Sequence, residues 1–254
     1  MIVYPLESSL IKPSDSILEA FTQALRRSRL ELKTGDIVAV SSKAVATAEN
    51  AIVDSSQILP SKRARALGIK HSLPSRFVQV VLDEADSVLG GVQGALLTVK
   101  DGDATANAGV DRKNAPKGTF VLWPRDSGRS AQKLRTAIQR RFRKRVGVIV
   151  VDSRVTPLRL GTIGFAIGTS GFRPVQDVRG EADLSGRRVG ITFRAIADSL
   201  AATAQLVMGE ASEKKPFAII RGFSARLGSD DEIGSAKLAP AQCLYMSQIS
   251  LKDS

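Results

Sequence analysis

Apolar positions along the chain fall into runs of two periods. Ile17, Leu18, Phe21 and Leu25 recur at helical spacing, and Ser16 with Glu19 forms a capping-box pattern ahead of them, so an amphipathic helix is predicted over 14–30. The turn Lys33-Thr34-Gly35-Asp36 leads into the short apolar run Ile37 to Val40, which reads as a strand. Pro60-Ser61 opens a helix through Leu67. After Pro74, the residues Phe77, Val78, Val81, Leu82, Ala85 and Leu89 keep three- and four-residue steps, predicting a longer helix that Gly90-Gly91 ends. β-type segments follow near 95–99 and 119–123, then a helix from Ser130 to Phe142. Val146 to Val151 is almost pure Val/Ile, the mark of a strand covered on both faces. Ile163 to Ile167 reads as another strand, about 194–208 as a third long helix, and Phe217 to Ile220 as a strand. Strands alternating with helices argue for an α/β or mixed α+β core.

Composition narrows the class. At 254 residues and 43% hydrophobic the chain can bury a sizeable core, as one large domain or two tightly joined lobes. It has no run of 18 apolar residues, and MIVYPLESSL has neither a basic start nor an apolar h-region, so a cytoplasmic protein without a membrane span is expected. One cysteine, Cys243, and one histidine, His71, exclude an internal disulfide, a Cys-rich zinc site and a His-rich metal site. Cys243 as a nucleophile with His71 as its base is disfavoured, because His71 in Lys-His-Ser-Leu-Pro reads as a surface residue.

Charge raises a further question. Lys and Arg exceed Asp and Glu by 12, and Arg129 to Arg145 is the densest basic stretch. Its cations sit on or just after a predicted helix, where they complement the helix dipole. Only Phe142 interrupts them, whereas nucleic-acid surfaces interleave stacking aromatics with charge. The excess is therefore read as a solvated basic face that favours an anionic small molecule over nucleic acid.

Three polar loops carry the candidate chemistry. Asn107 to Pro116 sets Asn107, Asp111 and Asn114 among small residues, a pattern for a hard cation and a nucleotide, or for a turn with Asx hydrogen bonds. Asp152 and Ser153 stand at the C-terminal end of the most apolar strand, where α/β proteins gather ligands, and Mg²⁺ takes one or two carboxylates with phosphates and water. As a turn or cap pair they need no function. Glu210 and Glu213, between a helix and a strand, can add carboxylates or simply face solvent. The standard phosphate loops are absent; Gly161 to Gly164 and Gly168 to Gly171 read as tight turns.

Several ordered stretches together resemble the coenzyme F420 γ-glutamyl ligase family: GDIVAVSSKAV at 35–45, VVLDEADSVLG at 80–90, TANAGVDRKNAPKG at 105–118, VGVIVVDSRVTPLRLGTIGFAIG at 146–168 and ADSLAATAQLVMG at 197–209. The likeness spans about residues 3–223, the ligase core, and leaves 224–254 as a divergent C-terminal segment. It implies a two-lobed mixed-sheet fold, a homodimer, and a GTP-dependent ligase adding L-glutamate to a deazaflavin coenzyme precursor through an acyl phosphate. Two divalent ions, Mg²⁺ or Mn²⁺, are implied, with K⁺ as a further candidate. By position, Asp111 and Asp152 match the ligands of one metal, and Ser153 and Glu210 those of the other. The nucleotide contacts implied are Glu7, Ser8, Ser9, Leu10, Ser42, Lys43, Asn114, the position of Thr47, and the closing loop Met208, Gly209, Glu210, Ala211, Ser212, Glu213, Lys214 and Lys215.

The chain departs from the family pattern in ways that bear on ligand walls. Thr47 stands where a phosphate-reaching lysine is expected, with Lys43, four residues earlier, as the candidate substitute. Ser185 replaces an aromatic in Asp183-Leu184-Ser185-Gly186. The loop 211–215 lacks its glycine and carries Lys214 and Lys215 instead. Two other readings stay open: a paralogous amide ligase with a different acceptor, and a non-catalytic nucleotide- or coenzyme-binding protein.

Overall fold

A computed structural model describes residues 1–223, 227–228 and 236–249; the segment 224–254 therefore lies partly outside the described residues. The architecture is mixed α/β. Contacts divide the chain into two compact units, one holding 1–49, 124–153 and the described residues of 162–236, the other holding 50–123, 154–161 and 237–249.

The first unit is built on a five-stranded sheet of order β1 (Ile2–Leu6), β12 (Phe217–Arg221), β2 (Ile37–Ser41), β8 (Gly147–Val155) and β9 (Thr162–Ser170). β2 and β8 are parallel, whereas β12 runs antiparallel to both β1 and β2. Helix α6 (Ile196–Met208) covers the face bearing Ile37, Ala39, Ile149, Val151, Ala218 and Ile220. On the other face Phe21 of α1 (Ile17–Arg27) meets Phe217 edge to face at 5.6 Å. With helices on both faces, strand residues 147–151 are buried without alternation, as their composition predicts. Helix α5 (Ser127–Phe142) precedes β8, and β10 (Val175–Asp177) pairs with β11 (Phe193–Ala195).

Helices α3 (Lys62–His71) and α4 (Ser75–Glu84) pack in the second unit with the hairpins β4 (Ser87–Val92), β5 (Ala95–Lys100) and β6 (Asp103–Ala106), and with the pair β3 (Ile52–Asp54) and β7 (Thr119–Val121). Its core centres on Phe77, Val78, Val81, Leu96 and Phe120. No helix among the described residues is long and apolar enough to cross a membrane.

Four expectations need correcting. Helix α4 stops at Glu84, and 87–92 forms a strand on β5, so Ala85 and Leu89 match helical spacing by coincidence. Helix α1 covers only 17–27 of the predicted 14–30, though the Ser16 hydroxyl does accept the Glu19 N–H. His71 is buried, not superficial, because it ends α3 beneath the β4–β5 hairpin and its carbonyl accepts the Gly94 N–H at 2.7 Å. Gly164 and Gly168 lie inside β9 rather than in turns. A Cβ on Gly164 would sit 2.5 Å from the Ala201 carbonyl oxygen, and one on Gly168 2.3 Å from that of Ser127. Close packing of α6 and α5 on β9 therefore explains both.

Candidate active site

Strand direction gathers the loops of the first unit. β1, β2 and β8 end at the sheet edge where β12 begins, so their following loops share that edge with the segment before Phe217. Glu7 to Leu10 follow β1. Ser42 and Lys43 open α2 (Ser42–Ala48) directly after β2. Asp152 and Ser153 lie just beyond the last β2–β8 pair, Ser41 with Val151. Backbone bonds tie the loops together: the Ser8 N–H donates to the Lys214 carbonyl and the Ser41 N–H to that of Pro216, both at 2.9 Å.

Within this edge the structure joins residues 57 positions apart. The Ser153 hydroxyl donates to Glu210 Oε2 at 3.3 Å. Glu210 Oε1 accepts from the Gln205 amide, whose own oxygen accepts the Gly164 N–H at 3.2 Å. Asp152 Oδ1 accepts the Ser153 N–H at 2.8 Å. Asp152, Ser153 and Glu210 are all half-buried. Gln205 escapes sequence reading because one amide on an amphipathic helix looks solvated; its place five residues before Glu210 is the only signal.

The predicted closing loop is folded on itself. Gly209 adopts φ +79°, and the Glu213 side chain packs beneath it, Cδ lying 2.2 Å from where a Cβ would be. The Glu213 carboxylate is held below the usual range by its own backbone N–H, then by that of Ala211, which it accepts at 2.8 Å. Ala211, Ser212 and Lys214 are exposed, Lys215 is half-buried and Met208 buried. Leu10 is exposed, whereas Ser8 and Ser42 are buried. Lys43 and Thr47 are four apart on α2 and so share a face, with Thr47 buried. Ser185 sits in an exposed turn whose N–H bonds Asp183.

Asp111 and Asn114 belong to the second unit. Three consecutive left-handed residues, Asn107, Ala108 and Gly109, turn the chain ahead of Asp111. Gly109 is required there, since a Cβ would fall 2.2 Å from the Trp123 indole nitrogen. The Asn107 side chain accepts the Leu96 N–H, and Ala108 donates to the Thr98 hydroxyl. Asp111 bridges to Val121 in antiparallel fashion, and its Oδ1 accepts the Arg112 and Lys113 N–H groups at 2.6 and 2.8 Å. Asn114, exposed, also has positive φ. Asp111 therefore does form an Asx-type turn bond, with the Lys113 N–H, and these local bonds orient its carboxylate.

No group of three or more His, Cys, Asp or Glu able to hold a metal occurs among the described residues. The first unit's edge offers two carboxylates and a hydroxyl, all hard oxygen donors. That set suits Mg²⁺ or Mn²⁺ completed by phosphate and water, and not zinc, which prefers nitrogen and sulfur.

Known proteins match the chain along most of its length. A sequence model of the family described as F420-0:Gamma-glutamyl ligase matches residues 5–222. A protein of Archaeoglobus fulgidus named Coenzyme F420:L-glutamate ligase is 38% identical over 233 residues, 91% of this chain and 92% of its own length. Proteins of the same name are 38% identical in Methanopyrus kandleri, over 88% of this chain and 86% of theirs, and 41% identical in Methanocaldococcus jannaschii, over 78% and 80%.

Proposed function

The chain belongs to the F420-0:gamma-glutamyl ligase family, and from that premise we propose that it joins L-glutamate to the coenzyme F420 precursor in a GTP-dependent reaction. The observation that carries the reading is the edge itself, where Ser153 meets Glu210 beside Asp152 and two loops close over the same strand ends. In the proposed sequence a carboxylate oxygen of the precursor attacks the γ-phosphorus of GTP. The bond to the bridging oxygen breaks and GDP leaves, giving an acyl phosphate. The glutamate amine attacks the acyl carbon, the C–O bond to phosphate breaks, and the amine loses a proton as the amide forms.

Divalent cations would supply charge neutralisation for the phosphates. Ser153 and Glu210 would hold one, and Asp152 and Asp111 are assigned to the other by their motif positions. The chain's part in such a transfer is positioning and electrostatics. Gln205 fixes the Glu210 carboxylate, the 209–215 loop and Glu7 to Leu10 keep water from the edge, and Lys43 with Lys214 or Lys215 provides cations for phosphate. The enzyme is proposed to act as a homodimer.

A second reading rests on the altered walls. Thr47 is buried in α2 and Glu213 is turned into its own loop, so a relative of the reaction with a different acceptor is the alternative. Purified protein, Mg²⁺ or Mn²⁺, L-glutamate, the glutamate-free coenzyme and either GTP or ATP decide the matter. Mass spectrometry is expected to reveal an added glutamate with GTP. No addition under any of these conditions rejects the ligase reading for this acceptor, and nucleotide turnover restored by another acid establishes the alternative.

A further inference from the structure

The C-terminal turn of α5 and its connection to β8 form a hollow of about 450 Å³ lined by Thr136, Gln139, Arg140, Arg143 and Arg145, a volume within the range of small-molecule sites. Thr136, Gln139, Arg140 and Arg143 follow an i, i+3, i+4, i+7 spacing, so they share one face of the helix as it ends at Arg143, in the left-handed conformation. Arg145 joins them from beyond the helix, where its backbone is pinned to Thr34 and Gly35.

None of these three guanidinium groups pairs with a carboxylate among the described residues, whereas neighbouring Arg141 is paired with Glu19 at 2.7 Å and Arg135 is buried on the Val146 carbonyl. Dipole complementation explains cations in the last turn of α5, but not Arg145 beyond it, nor three charges around one hollow. The hollow lies at the start of β8, and Asp152 lies five residues further on, about 17 Å at the usual strand rise. It is therefore separate from the reaction edge.

We propose that this hollow is a second anion site, which takes a small molecule bearing a di- or triphosphate group. Guanidinium forks match phosphate oxygens two at a time, three of them call for a ligand with several negative charges, and Thr136 and Gln139 add neutral donors. A single-stranded nucleic acid fits less well. No aromatic lines the hollow, and Phe142 is engaged edge to face with Phe21 at 6.2 Å.

The test is calorimetric titration of the full chain with sodium tripolyphosphate, in EDTA and at fixed ionic strength. Wild type, the exposed-residue variant R140Q/R143Q/R145Q, and D152N are compared, with melting curves to confirm that each folds. One site per chain is expected in wild type and in D152N, weakened about tenfold or more in the triple variant. R145Q alone, off the helix, is expected to weaken binding in the same direction. Equal affinity in wild type and the arginine variants overturns the proposal, as does loss of binding in folded D152N, which would place the anion at the reaction edge. Polyuridylate RNA that binds more tightly than tripolyphosphate through the same arginines overturns it in favour of nucleic acid. Because metal and both substrates are absent, failure here leaves the ligase reading untouched, and failure of that reading leaves this one untouched.

Discussion

The two ends of the five-stranded sheet both hold carboxylates, and the groups bonded to them differ. Where β2 begins, Asp36 is 1% exposed and receives Arg221 through both oxygens, Nε to Oδ1 at 2.8 Å and Nη2 to Oδ2 at 2.7 Å. The Lys33 N–H adds a bond at 2.8 Å, and Arg221 also reaches the Glu31 carbonyl. The Asp36 hydrogen bonds hold the Arg221 proton more firmly than usual. At the other end, the bonds to Asp152 and Glu210 include one from a backbone N–H, one from a hydroxyl and one from an amide. A carboxylate clamped by a guanidinium has its charge answered and serves the fold.

That contrast can be broken first at the structural end. Asp36→Ala leaves Arg221 partly buried and uncompensated, and is expected to cost about 3–5 kcal/mol. For a domain of this size that is a fall of roughly 10 °C in melting temperature, with the activity of the folded fraction retained. An unchanged melt would mean that the pair is not what secures this end. Asp152→Asn should do the reverse. Glutamate addition is expected to fall about a hundredfold, as for loss of an oriented metal-site group, while the melting curve stays close to wild type. Wild-type turnover in that variant would remove Asp152 from the reaction.

How far these two ends could be read from sequence follows from what shaped them. Val146 to Val151 announced itself because both faces are covered, so no alternation intervenes. β1 did not, because Pro5 interrupts it; the strand survives as the sheet's edge, where a missing N–H donor is tolerated. Ala85 and Leu89 misled because pairing overrides spacing: the Asp86 N–H bonds Val99 and the chain is already extended at Ala85. At the site, Asp152 and Ser153 were legible as a polar pair at a strand end, but the meeting of Ser153 with Glu210 was not, since no local rule brings residues 57 apart into contact. Gln205 and the packing role of Gly168 were invisible for the same reason.

Gly168, on the edge strand β9, adds a backbone constraint to the comparison. Gly168→Ala places a methyl against the Ser127 carbonyl at the start of α5, where backbone cannot yield as a side chain tip would. Overpacking of this kind costs about 1–3 kcal/mol, read as an earlier chemical-denaturation midpoint with an unchanged slope. A neutral outcome would mean that α5 can slide, and that the close approach is not a constraint.

The smallest effect concerns Glu213, a third kind of carboxylate, which neutral donors bind within its own loop. Its folded-state proton affinity is lowered, first by its own N–H and then by that of Ala211, so the charged form is the one the folded loop favours. Its contribution is therefore present above the ordinary carboxylate range and fades as pH falls through the lowered value. The side chain is exposed, so the effect on global melting is small. Wild type is expected to melt slightly above Glu213→Gln at neutral pH, with the two curves merging in acid below the usual range for glutamate. A gap that persists unchanged into acid would show that the charge of Glu213 is not what holds the loop.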